Sequence, residues 1–84
     1  MKIKIFWQEF CGKCPIAKEL GKTLESQGFK VEYFDVKQGA GLGEAVYYGL
    51  MATPSVVVTD DSNKEIAKWA GKTPSLDEIK SHLK

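Results

Sequence analysis

Phe6-Trp7-Gln8-Glu9-Phe10-Cys11-Gly12-Lys13-Cys14-Pro15 carries both cysteines of the chain, two residues apart. It lies where a short apolar strand pattern ends and a long amphipathic pattern begins. A Cys-x-x-Cys at a strand-to-helix junction is a place for thiol–disulfide chemistry. If a helix starts near Cys11, the two cysteines share one of its faces, with Cα atoms about 5–5.5 Å apart, within disulfide range. Cys11 then sits at the helix N-terminus, where unpaired N–H groups and the positive end of the dipole favour an anion. Cys14 lies one turn further in and is more shielded. That asymmetry casts Cys11 as the attacking thiolate and Cys14 as the thiol that resolves the mixed disulfide. Lys13 adds a nearby cation. Lowering a thiol pKa from about 8.5 to about 7 takes only about 2 kcal/mol of preference for the charged form.

The same pair has other readings. It is half of a zinc or iron–sulfur site, or two inert thiols. A metal or cluster needs about four ligands, and the chain has no third cysteine and a single histidine, His82. Such a site requires a second chain or an external thiol, so no metal is expected on one chain alone.

At 84 residues, the chain is expected to form a single domain, 1–84, with a small core. Twelve basic residues, all lysine, balance eleven acidic ones to a net charge of +1, which gives no reason to expect nucleic-acid binding. Without arginine, bidentate guanidinium clamping of carboxylate or phosphate is excluded. The N-terminus reads as neither a signal peptide nor a membrane span, and the expected compartment is the cytosol. There, a Cys-x-x-Cys is usually catalytic or metal-binding rather than structural.

Residues 2–7 alternate lysine with apolar residues and read as a strand entering the core. Residues 12–27 read as a helix with Ile16, Ala17, Leu20 and Leu24 inward and Lys18, Glu19, Lys22 and Glu25 outward. Pro15 falls in its first turn, and Gly28 ends it. Residues 29–36 form a second strand, which implies a right-handed parallel crossover. Asp35 there is either a proton relay or a strand-end residue. Residues 37–43 read as a glycine-rich loop without the spacing of a phosphate-binding motif. Residues 44–50 form a short helix, with Ala45, Val46, Tyr48 and Leu50 as packing candidates. Ser55–Thr59 is a β-branched strand, Asp60–Asn63 a hairpin turn, and residues 65–70 a fourth strand. Ser75 and Glu78 form a capping box for a last helix over about 76–83. Its inner face is Leu76, Ile79 and Leu83, and Lys80 and Lys84 near its end suit the dipole.

This order resembles the thioredoxin superfamily. Residues 6–14 are similar to the family's Phe-Trp-x-x-Trp-Cys-Gly-Pro-Cys segment. Tyr48-Gly49-Leu50-Met51-Ala52-Thr53-Pro54-Ser55 resembles its Tyr-Gly-Ile-x-x-x-Pro-Thr segment. The length is that of a glutaredoxin, starting at the strand before the cysteines. The resemblance implies a βαβαββα thioredoxin fold, α/β, with a four-stranded mixed sheet of order 2-1-3-4 and helices on both faces. It implies a redox-active Cys11–Cys14 disulfide without a bound cofactor, tuned by Gly12, Lys13 and a cis-Pro54. Trp7, Phe10, Ala52, Thr53, Pro54 and Gly71 are then substrate-contacting, although Trp7 and Phe10 also fit a core role and Pro54 a plain strand start. The Thr53 backbone pairs with an extended substrate segment.

Two departures stand out. Ile5 occupies the position of the family's buried acid, which leaves water, Glu9 or a lysine to accept the Cys14 proton. Ala70-Gly71-Lys72-Thr73-Pro74 lacks the acid of a glutathione-binding segment, leaving Lys13, Lys37 or Lys72 as possible carboxylate partners. The expectation is a small, monomeric protein-disulfide reductase, recharged by a thioredoxin-reductase-like enzyme or by glutathione. The rivals are a metal or iron–sulfur carrier built from two chains and a non-catalytic interaction module.

Overall fold

The computed structural model describes residues 1–83. Its elements are β1 (Lys2–Trp7), α1 (Cys14–Ser26), β2 (Lys30–Asp35), α2 (Gly39–Tyr47), β3 (Ser55–Thr59), β4 (Glu65–Trp69) and α3 (Leu76–Lys80). The sheet order is β2-β1-β3-β4. β1 runs parallel to β2 and antiparallel to β3, and β4 is antiparallel to β3. This is the α/β architecture and strand order expected from the sequence.

Strand alternation divides the core in two. Ile3 and Ile5 of β1 join Val56 and Val58 of β3, Ala17 and Leu24 of α1, and Ile79 of α3, all fully buried. On the opposite face, Phe6 and Val57 meet Ala45, Tyr48 and Leu50 from α2 and its following turn. Helices therefore cover both faces. Each buried aliphatic side chain contributes about 1.5–3 kcal/mol, which is what a chain this short has for offsetting its conformational entropy.

The punctuation follows the sequence signals. α1 ends with Gly28 at φ 90°. The Phe29 N–H donates to Leu24 O at 3.1 Å and the Gly28 N–H to Glu25 O at 3.0 Å, a Schellman closure. Asp60 caps the hairpin by accepting from the backbone N–H groups of Ser62 (2.8 Å) and Lys64 (2.9 Å). Both halves of the Ser75/Glu78 capping box are formed at α3. Leu76, Ile79 and Leu83 all face the α1-side core.

Several boundaries and faces differ from the expectation. α1 begins at Cys14 rather than residue 12. Cys11, Gly12 and Lys13 instead form a turn closed by the Cys14 N–H donating to Cys11 O at 3.2 Å. The helix buries Cys14, Ala17, Gly21 and Leu24, so its inward face is turned away from Ile16, which is 60% exposed. Gly21 leaves room there for two side-chain ends, since a Cβ would come within 2.5 Å of the Tyr33 hydroxyl and 2.6 Å of Ile5 Cδ1.

α2 starts at Gly39, inside the stretch expected to be a loop. Three glycines in a helix cost about 1 kcal/mol each in propensity, and close approach overrides that. A Cβ at Gly41 would collide with the backbone carbonyl of Asp35. Val46, expected to pack, is 69% exposed. β2 and β4 are shorter at their ends than read, and α3 stops at Lys80. The expectation for Lys84 lies outside the described residues.

Lys4 breaks the simple alternation of β1. It points toward α2 and is only 3% exposed. Its ammonium pairs with Glu44 of α2, with Glu32 at 3.9 Å. It also lies 5.1 Å from the Tyr48 ring centroid and 5.5 Å from that of Phe34. Burial alone pulls its pKa down, but the hydrogen bond and charge of Glu44, joined by the Tyr48 hydroxyl, outweigh it and leave the value raised.

Candidate active site

The end of β1 and the start of α1 place the two sulfurs. Cys11 and Cys14 form a disulfide across a Cα–Cα distance of 5.4 Å. Cys14, the first residue of α1, is 2% exposed, whereas Cys11 remains partly open to solvent. Cys11 lies just beyond the helix terminus, still on the side where the first-turn N–H groups point. Gly12 and Lys13 form the exposed turn between the sulfurs, and Pro15 occupies the first helical turn.

A groove of about 580 Å³ opens beside the disulfide, with Trp7, Glu9, Phe10, Cys11, Cys14 and Lys18 in its walls. Phe10 is fully exposed and has φ 59°, a left-handed backbone uncommon for a bulky residue. Trp7 is partly buried. The ammonium of Lys18 sits 3.4 Å from the centroid of the Trp7 ring. The sequence places Lys18 on the outer face of α1; the structure puts it at the groove instead. The missed signal is its spacing of four from Cys14, which aligns the two along one side of the helix.

A second groove of about 160 Å³ contains Leu42, Leu50, Met51, Ala52 and Thr53 and shares Gln8 with the first. Met51 is 97% exposed. The Thr53–Pro54 peptide bond is cis, and Pro54 is buried. The Ser55 hydroxyl donates to Ala52 O at 2.6 Å and accepts from the Gly71 N–H at 3.2 Å. It thereby ties the turn before β3 to the turn after β4. Gly71 has φ 73°, and a Cβ there would come within 3.2 Å of that of Ala52. Gln8 and Met51 line these grooves and Ser55 braces the turn from beneath; the sequence reading selected none of the three.

Ile5 is fully buried among aliphatic side chains. Asp35 accepts the Lys37 backbone N–H at 2.9 Å, which is the strand-end role. Lys13, Lys37 and Lys72 are all exposed, and none of them is in the walls of either groove. Among the described residues, no three His, Cys, Asp or Glu side chains gather into a metal-holding group. No helix among them is long and apolar enough to cross a membrane.

A 2-1-3-4 mixed sheet with a disulfide closing the turn into its first helix, and a cis-proline leading into the third strand, defines the class: a thioredoxin-fold dithiol protein. The family model for the thioredoxin domain matches residues 1–84, and the chain belongs to that family. It is 31% identical over 64 residues to a thioredoxin of Methanocaldococcus jannaschii, a match spanning 73% of each chain. Among solved structures, it superposes on a mutant thioredoxin from Halobacterium salinarum NRC-1 with TM-score 0.79 and 23% identity, covering 95% of this chain and 68% of that one. With thioredoxin 1 of Thermosipho africanus TCF52B the TM-score is 0.69 at 22% identity, over 99% and 90% of the two chains. These two likenesses speak for the fold. Family and disulfide together are those of a thiol–disulfide oxidoreductase.

Proposed function

We propose that the chain reduces disulfides in partner proteins. The observation that carries this reading is the unequal exposure of two sulfurs joined at the start of α1. In the reduced protein, the Cys11 thiolate attacks one sulfur of a substrate disulfide. A Cys11–substrate bond forms and the other substrate sulfur leaves as thiolate. Cys14 then loses its proton, attacks Cys11 Sγ and releases the second substrate thiolate. The substrate gains two electrons and the protein returns to the Cys11–Cys14 disulfide.

Gly12 and Lys13 tune the exchange through the turn they build, and Pro54 shapes the opposite wall. Ala52, Thr53 and Gly71 supply backbone for an extended substrate strand, and Trp7 and Phe10 supply apolar contact. With Ile5 in place of an acid, the Cys14 proton passes to water entering from the groove. A thioredoxin-reductase-like flavoenzyme or glutathione restores the dithiol. The protein acts as a cytosolic monomer without a bound cofactor, nucleic acid or membrane.

The test is reduction of insulin disulfides by dithiothreitol. The native chain accelerates it, and Cys11→Ser does not. Equal rates for the two proteins would remove the reductase reading in favour of a non-catalytic module.

A further inference from the structure

The groove on the α1 side of the disulfide holds a cation that the reaction above does not use. Lys18 is partly buried, one helical turn beyond Cys14, with its ammonium 3.4 Å from the Trp7 centroid. Among the described residues it has no carboxylate partner, in contrast to Lys4 and Lys68. A cation resting on an indole face is held in place by the ring quadrupole yet keeps its outer hydrogen-bond donors free. The same groove walls hold Cys11 and the fully exposed Phe10.

We propose that this groove is a binding site for a carboxylate carried close to the scissile disulfide, and that Lys18 is the residue that selects it. The proposal rests on the disulfide-exchange reading. The carboxylate belongs to a small disulfide or to an acidic side chain beside a protein disulfide; the chemistry read by Lys18 is the same. Glu9 also lines the groove, but it is exposed and hydrated, so it opposes an anion less than Lys18 attracts one. Each turnover follows the exchange written above: the bound disulfide takes two electrons and leaves as two thiols, and Cys11–Cys14 is formed.

The experiment uses the reduced full chain and three small disulfides of different charge: 3,3′-dithiodipropionate (anionic), bis(2-hydroxyethyl) disulfide (neutral) and cystamine (cationic). An insulin arm reports the protein source of carboxylate. Oxidation of Cys11 and Cys14 is followed by acid quench and thiol alkylation. Lys18→Met is expected to slow the anionic disulfide about fivefold relative to the neutral one, while cystamine is unchanged or faster. Lys18→Arg restores the preference, and Glu9→Gln raises the anionic rate by a smaller factor. A loss shared equally by all three disulfides would assign Lys18 to the thiolate or to stability, and would overturn the site. So would no change at all. If the native chain oxidises with none of the three disulfides and does not reduce insulin, the exchange reading itself fails. If Lys18→Met does not fold, the anionic-to-neutral ratio of native protein measured against salt decides. It falls as salt screens the charge if the site exists, and stays flat if it does not.

Discussion

The two faces of the sheet use β1 differently. Toward α1 and α3 it sends Ile3 and Ile5 into a cluster whose fully buried members are all aliphatic. Toward α2 it sends Phe6 and also Lys4, a buried ammonium paired with Glu44. The redox pair belongs to the helix that covers the dry face. The buried charge is thus kept on the face opposite that helix, and its work is to fasten α2, which leads into the cis-proline turn. Ile5 leaves the α1 side without an acid in the buried cluster, while the second face holds the helix that leads into the cis-Pro54 turn.

The sharpest way to break this comparison is to move the charge across. Ile5→Lys places an ammonium among fully buried aliphatic side chains, on the face opposite Glu44, and should cost about 4 kcal/mol or more in urea unfolding. An unchanged midpoint would show the two faces to be equivalent. Next come the two glycines where helices approach the sheet. Gly41→Ala drives a Cβ into the Asp35 backbone carbonyl, which cannot rotate away, and is expected to cost about 2–3 kcal/mol. Gly21→Ala meets only the side-chain ends of Tyr33 and Ile5, and should cost about 1 kcal/mol, with helix propensity partly offsetting the clash. The reverse order in thermal or urea midpoints would contradict the packing described for α2.

The smallest effect is at alkaline pH. The Lys4 pKa is raised above its ordinary 10.5, so its pairing stabilises the fold fully below that value and is lost as pH climbs through the folded value. Tyr33 behaves with the same sign on the other face. Burial, then the hydrogen bond to Glu25, push it from 10.0 up to about 12, so its contribution is whole below pH 10.0 and fades toward 12. Stability should therefore fall from about pH 10 to 12. Lys4→Met should remove the part of that slope above 10.5, and Tyr33→Phe the part that starts at 10.0. Urea midpoints over this range, with both variants, check the assignment; parallel slopes in all three proteins would refute it.

Much of this was legible in the residues. The element order is legible from the apolar runs and from Gly28, Asp60 and Ser75 that punctuate them, while the strand order 2-1-3-4 follows from the resemblance to the thioredoxin superfamily. The cysteine pair is legible because its spacing and the strand-to-helix switch coincide. What the sequence concealed are facts of close approach. A glycine run reads as a loop until β2 is seen to pass beneath Gly41. Lys18 reads as a solvated helix residue until α1 is found to begin at Cys14 and to bury Ala17 and Gly21 instead of Ile16. Lys4 reads as the polar half of the alternation in residues 2–7, and only α2 brings Glu44 over it.

The direct test of the central claim is alkylation of the reduced protein by limiting iodoacetamide, read site by site by mass spectrometry across about pH 5 to 9. The account expects Cys11 to react at least about tenfold faster than Cys14, with a midpoint below the ordinary thiol value of about 8.5. Equal rates, preference for Cys14, or a Cys11 midpoint at or above that value would contradict it.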